Sequence, residues 1–152
     1  MKRKRPGTAV SPTPDSNKSV GRPPFIQLDY LYVPSSDVAT DLKYLTEVLG
    51  GEVAFAVEGM GARVAMVRLT QDPPHVLLTD HLDGDRPILI YRVDKLDSAL
   101  GDLKRRGWKK GQTLEIPMGP CCSFTTPSGH RIAIYELSRP EVANHFLGRR
   151  DF

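Results

Sequence analysis

Two hydrophobic rhythms alternate along this chain. Residues 27–33 (QLDYLYV) are dense in aromatic and branched side chains and predict a strand. Pro34-Ser-Ser-Asp37 ends it and offers helix N-caps. Val38, Leu42, Leu45 and Leu49 then recur at spacings of four, three and four, one face of a helix. Gly50-Gly51 stops that helix by supplying a left-handed residue. Strands are predicted over 52–57, 63–69 and 75–79, with Gly59 and Gly61 marking one turn and Asp72-Pro-Pro74 the next.

The same order then recurs. Residues 87–93 predict a strand, and Asp94, with Asp97 three residues on, resembles a capping box. Leu96, Leu100 and Leu103 form the apolar stripe of a second helix with Ala99 beside it, and Gly107 ends it. Strands follow over 112–116, 121–125 and 131–137, the last two joined by the turn Thr126-Pro-Ser-Gly-His130. The body is therefore a duplicated strand–helix–three-strand unit. The strands at 87–93 and 131–137 are apolar on both parities, as a sheet covered on both faces requires. Helices cover one face; the other lines an enclosed cup or meets a partner. Residues 140–147 predict a short amphipathic helix, Val142 and Phe146 four apart, that clasps the sheet or a partner.

Residues 1–24 lack such periodicity. They hold Pro6, Pro12, Pro14, Pro23 and Pro24 and read as a disordered, basic, Pro-rich tail, leaving 25–152 as the folded domain. Charge separates in the same way. Residues 1–22 carry six basic side chains and one acidic, while the remainder carries 15 basic and 17 acidic. The net charge of +3 thus belongs to the tail, and the near-neutral body lacks the basic face a nucleic-acid binder needs, so such binding is expected only through Lys2–Arg5. With 39% hydrophobic residues the 152-residue chain can bury one core, and no apolar run approaches a membrane span. The basic N-terminus is followed by no apolar stretch of the secretory kind, and the two adjacent cysteines, Cys121 and Cys122, form no disulfide framework or zinc motif. A reducing, cytoplasmic setting is expected. No phosphate-loop motif occurs.

Three segments carry a family resemblance. Tyr44-Leu-Thr-Glu-Val-Leu-Gly-Gly-Glu52 resembles the first helix, Val93-Asp94 with the helix ending at Gly107 resembles the second module's opening, and Phe124-Thr-Thr-Pro-Ser-Gly-His-Arg-Ile-Ala-Ile-Tyr-Glu136 resembles the closing hairpin of the vicinal oxygen chelate superfamily, which includes glyoxalase I, extradiol dioxygenases and bleomycin-resistance proteins. Thr126 and Ser128 replace the two Asp residues usual in that hairpin. The resemblance implies an α+β fold: two βαβββ modules, about 25–82 and 85–137, forming one cup-shaped mixed sheet with helices outside.

In metal-bearing relatives four side chains converge in the cup, with positions left open for substrate oxygens. Carried over one by one, those positions fall on Tyr30, Leu77, Ile88 and Ala133. Only Tyr30 offers a donor, so no metal and no other cofactor is expected. A register one residue off would put Asp29 and Glu136 forward, but strict alternation sends both to the helix side. Alternation assigns to the cup Leu28, Tyr30, Tyr32, His75, Leu77, Thr79, Ile88, Ile90, Arg92, Arg131, Ala133 and Tyr135. We read the candidate ligand pocket as Tyr30, Tyr32, His75, Leu77, Ile88, Arg92, Arg131, Ala133 and Tyr135. Its tyrosines suit a flat ligand and its arginines an anionic one. The bland alternatives are core tyrosines, solvated strand-end arginines and a surface histidine at the start of a strand. His81, His130 and His145 are too scattered to form a ligand cluster. One cysteine of the adjacent pair faces the cup and the other the helices, both as structural thiols.

The resemblance thus implies a metal-free protein that binds and sequesters a small molecule, as a homodimer by analogy with bleomycin-resistance proteins. The alternatives are a metal-independent lyase or isomerase using Tyr30 or His75 as acid or base, and, further off, a metal-dependent glyoxalase or dioxygenase. A partner protein acting through the basic tail ranks below the binding protein and the metal-independent enzyme.

Overall fold

The computed structural model describes residues 21–109 and 111–152; residues 1–20, most of the predicted tail, lie outside the described residues. Strands β1 (Phe25–Pro34), β2 (Glu52–Gly59), β3 (Ala62–Arg68), β4 (His75–Thr79), β5 (Ile88–Val93), β6 (Gln112–Ile116), β7 (Gly119–Thr125) and β8 (Arg131–Glu136) form one mixed sheet in the order β2-β3-β4-β1-β5-β8-β7-β6. Each module runs its first strand parallel to its last, β1 with β4 and β5 with β8, and the modules join where β1 and β5 pair antiparallel. The predicted strands are all present. Among the described residues no helix is long and apolar enough to cross a membrane.

Helix α1 (Val38–Lys43) begins at Asp37, whose carboxylate accepts the Thr40 N–H at 3.1 Å, and continues as a π-helical turn over Tyr44–Val48. Gly50, at φ +79°, ends it in the conformation that glycine adopts without steric cost. Val38 and Leu42 pack on Ala56, Ala65, Val67 and Leu78 of the first module. Helix α2 (Leu96–Arg105) places Leu96 and Ala99 on Val93, Cys122 and Ile134 of the second. The expected capping box does not form. The residue preceding α2 is Lys95, which supplies no side-chain cap, and the Leu96 N–H is instead satisfied by the Glu136 carboxylate at 2.8 Å. A side chain from β8 thus does what Asp94 was expected to do.

Both helices lie on one face of the sheet. The opposite face holds a third cluster, Cys121, Ala133 and Tyr135 with Tyr30, Ile88 and Ile90 against it. After β8 the chain crosses this face. Ser138 N–H donates to the Met118 carbonyl at 3.0 Å, and the Arg139 guanidinium holds Glu115 at 2.6 Å. A 3-10 turn over Pro140–His145 follows, in place of the predicted amphipathic helix at 140–147. The Phe146 ring then meets Phe55 of β2 with centroids 5.7 Å apart. Gly148 and Ala56 N–H groups bond the Ala54 and Arg149 carbonyls, both at 2.8 Å, so the terminal segment pairs along the outer edge of β2. Phe152 ends in the α1-side core. The clasp expected of this segment is made within one chain, as a strap from the second module to the first. Residues 21–24, assigned by sequence to the tail, run beside α2, where Arg106 donates to the Arg22 carbonyl.

Candidate functional site

A pocket of about 190 Å³ opens on the concave face between β1, β4, β8 and the strap. Its walls are Asp29, Tyr30, Pro73, His75, Met118, Tyr135, Leu137, Pro140 and Ala143. A break in strand pairing decides which polar group it contains. The β1–β5 register shifts between Leu28 and Tyr30: Leu28 pairs with Tyr91, Tyr30 with Ile90, and Asp29 is the extra residue of a bulge. Leu28 therefore shares the helix side with Tyr91, and Asp29 turns into the cup. Both placements reverse the expectation from alternation. Glu136 does stay on the helix side, at the start of α2.

Asp29 is buried, at 8% exposure, and its charge is answered locally. Its Oδ2 accepts the Tyr135 hydroxyl at 2.5 Å and lies 3.2 Å from Arg92 Nε. That last contact is an ion pair without hydrogen-bond alignment, since Arg92 Nε has no well-directed acceptor among the described residues. Arg92 also donates to the Gln27 side chain at 3.2 Å. Burial first, and the bond to Asp29 second, push the Tyr135 hydroxyl far above its ordinary value. Burial, with the Asp29 charge nearby, also raises Tyr30. Both phenols are therefore protonated at neutral pH.

His75 is 9% exposed, not a surface residue, and its Nδ1 has no partner among the described residues. Burial, then the Arg68 charge, lower its pKa below the usual histidine value, against a smaller opposing pull from Asp29 and Asp72. The ring is neutral at pH 7.

Of the nine residues expected at the pocket, Tyr30, His75 and Tyr135 line it. Ile88 and Ala133 pack in the same concave cluster beside it, and Arg92 stands behind Asp29. Tyr32 and Arg131 mark the other end of the cup: the Tyr32 hydroxyl meets His81 Nε2 at 2.6 Å, and Arg131 donates to the Asp83 carbonyl. Leu77 pairs with Tyr32 there. Neither arginine expected to receive an anion lines the pocket. Cys121 faces the cup and Cys122 the helix side, both buried, and burial pushes the Cys121 thiol up to about 11.

The four positions assigned to metal ligands hold one oxygen donor among them, the protonated Tyr30 hydroxyl. Among the described residues no three His, Cys, Asp or Glu side chains come together. This donor set does not fit a divalent ion, which needs several converging nitrogen or oxygen ligands.

This architecture is the vicinal oxygen chelate fold: two βαβββ modules sharing one cupped sheet. Among solved structures similar to it are methylmalonyl-CoA epimerase from Mycobacterium tuberculosis (TM-score 0.64, 16% identity, 84% of this chain and 99% of that one) and a methylmalonyl-CoA epimerase in complex with methylmalonyl-CoA and NH4+ (TM-score 0.57, 14% identity, 76% and 96%). A hypothetical protein from Bacillus halodurans C-125 is similar too (TM-score 0.57, 12% identity, 72% and 93%). No family model and no curated protein matches the sequence. At these identities the likeness defines the fold and leaves the chemistry to the residues of the cup.

Proposed function

We propose that this protein binds a small organic molecule in the cup, without a resident divalent metal. The observation that carries the reading is the exchange of side chains on the concave face. Where the fold can hold metal ligands, this chain has Tyr30, Leu77, Ile88 and Ala133. Beside them lies a pocket whose walls are apolar apart from Asp29, His75 and the tyrosines. Apolar walls with a few directed polar groups are the usual composition of a small-molecule site. Solved structures of this fold include one in complex with a coenzyme A ester, which agrees with small-molecule binding.

A second reading, a metal-independent isomerase or lyase, is favoured by one arrangement. His75 and Tyr30 line the same pocket, the first a neutral base and the second a phenol held protonated.

The binding reading is tested by a thermal-shift screen of small organic compounds against the full chain and Ala143→Leu, whose added side chain fills the pocket from the strap. The expected result is stabilisation of the unsubstituted chain that grows with ligand concentration and is absent in A143L. Failure of every compound, or equal stabilisation of both proteins, would overturn it.

A further inference from the structure

Pocket size, charge balance and an unmet hydrogen bond together restrict the ligand. We infer that the pocket takes an uncharged, single-ring aromatic compound carrying a hydroxyl or similar group, with the ring against Tyr30, Met118 and Leu137 and the polar group on the His75 imidazole. This inference rests on the binding reading above.

Size comes first. An apolar cavity of about 150 Å³ holds one benzene. The 190 Å³ here, open on one side, has room within its walls for one ring with a small substituent.

Charge comes second. Among the described residues Asp29 is the one acid on the pocket wall, and it is already matched by Arg92 at 3.2 Å and the Tyr135 hydroxyl at 2.5 Å. Arg131, the other cation expected in the cup, donates to the Asp83 carbonyl at its far end. The wall thus carries one carboxylate, balanced from behind by Arg92, and a neutral imidazole. An ion entering it would give up part of its hydration without gaining an unmatched counter-charge, a cost that an uncharged ligand avoids.

The unmet group comes third. Buried polar atoms nearly always have a partner, yet His75 Nδ1 has none among the described residues. Histidine χ2 has two broad wells, and a turn of the ring between them would offer that nitrogen to the pocket. A ligand hydroxyl can donate to that nitrogen or accept from it, so it serves either tautomer.

The test is calorimetric titration of the full chain with four probes of similar size: phenol, toluene, benzoate and benzylammonium. Phenol is expected to bind, toluene to bind roughly tenfold more weakly for want of the hydrogen bond, and each ion at least about tenfold more weakly than phenol. In His75→Leu the phenol preference over toluene should vanish while toluene binding is retained. Benzoate or benzylammonium binding as tightly as phenol would overturn the inference, as would equal affinity of phenol and toluene for the unsubstituted chain. Should all four probes fail while the screen finds another compound excluded by A143L, the ligand class falls and the binding reading stands. If the screen fails as well, both fall.

Discussion

Neutral His75 makes stability depend on pH in a defined direction. Burial and Arg68 lower its folded pKa below the ordinary value, while Asp29 and Asp72 pull the other way more weakly. Below about pH 6.5 the unfolded chain takes up a proton that the folded chain resists, so this residue's contribution is present at pH 7 and lost as the pH falls. Urea unfolding at pH 7 and pH 5 is expected to show a larger loss in the unsubstituted chain than in His75→Gln. The other three histidines are common to both proteins. Equal losses would mean that His75 titrates normally.

At this scale the sequence was partly legible. Alternation placed Tyr30 and Tyr135 on the pocket because β1 beyond the bulge and β8 keep a strict period of two. It failed at Leu28 and Asp29 because one extra residue in β1 reverses the parity. The signal available was chemical. Asp29 is an acid inside an apolar strand, and such a residue needs buried partners, here Arg92 and Tyr135.

Elements were more legible than their ends. Apolar spacing and the stops at Gly50 and Gly107 set the extents of both helices, and both glycines adopt positive φ. The first residue of α2, Leu96, was legible, but its cap was not, because that comes from Glu136, 40 residues away in sequence. Local pattern cannot register a cap supplied across the fold. Glu136→Ala should therefore destabilise the protein by about 1 kcal/mol, as loss of a cap commonly does, and Asp94→Ala should leave the urea midpoint nearly unchanged. The reverse order of effects would restore the capping box.

On the scale of the whole molecule, the strap ties the two modules together and forms part of the pocket wall through Pro140 and Ala143. Its far end supplies the partners of two β2 amides. Ala56 N–H bonds the Arg149 carbonyl and Glu58 N–H bonds the Asp151 carboxylate, both at 2.8 Å. Removing residues 149–152 should raise hydrogen exchange at Ala56 and Glu58 well above that at Ala65 in the interior of β3. Uniform exchange across both strands would show that the strap does not dock there. Sequence could indicate that something clasps the sheet, since Val142 and Phe146 are apolar, but not which edge receives it. That depends on Phe55 and the open side of β2.

The central claim is that the cup is a site for an organic molecule and not a metal centre. It is tested most directly by elemental analysis of the full chain produced with manganese, cobalt, nickel and zinc supplied, then dialysed without chelator. The expected result is no metal above trace, because Leu77, Ile88 and Ala133 offer no donor. One equivalent of a divalent metal, lost in Tyr30→Phe or Asp29→Asn, would contradict it and make the cup a metal site after all.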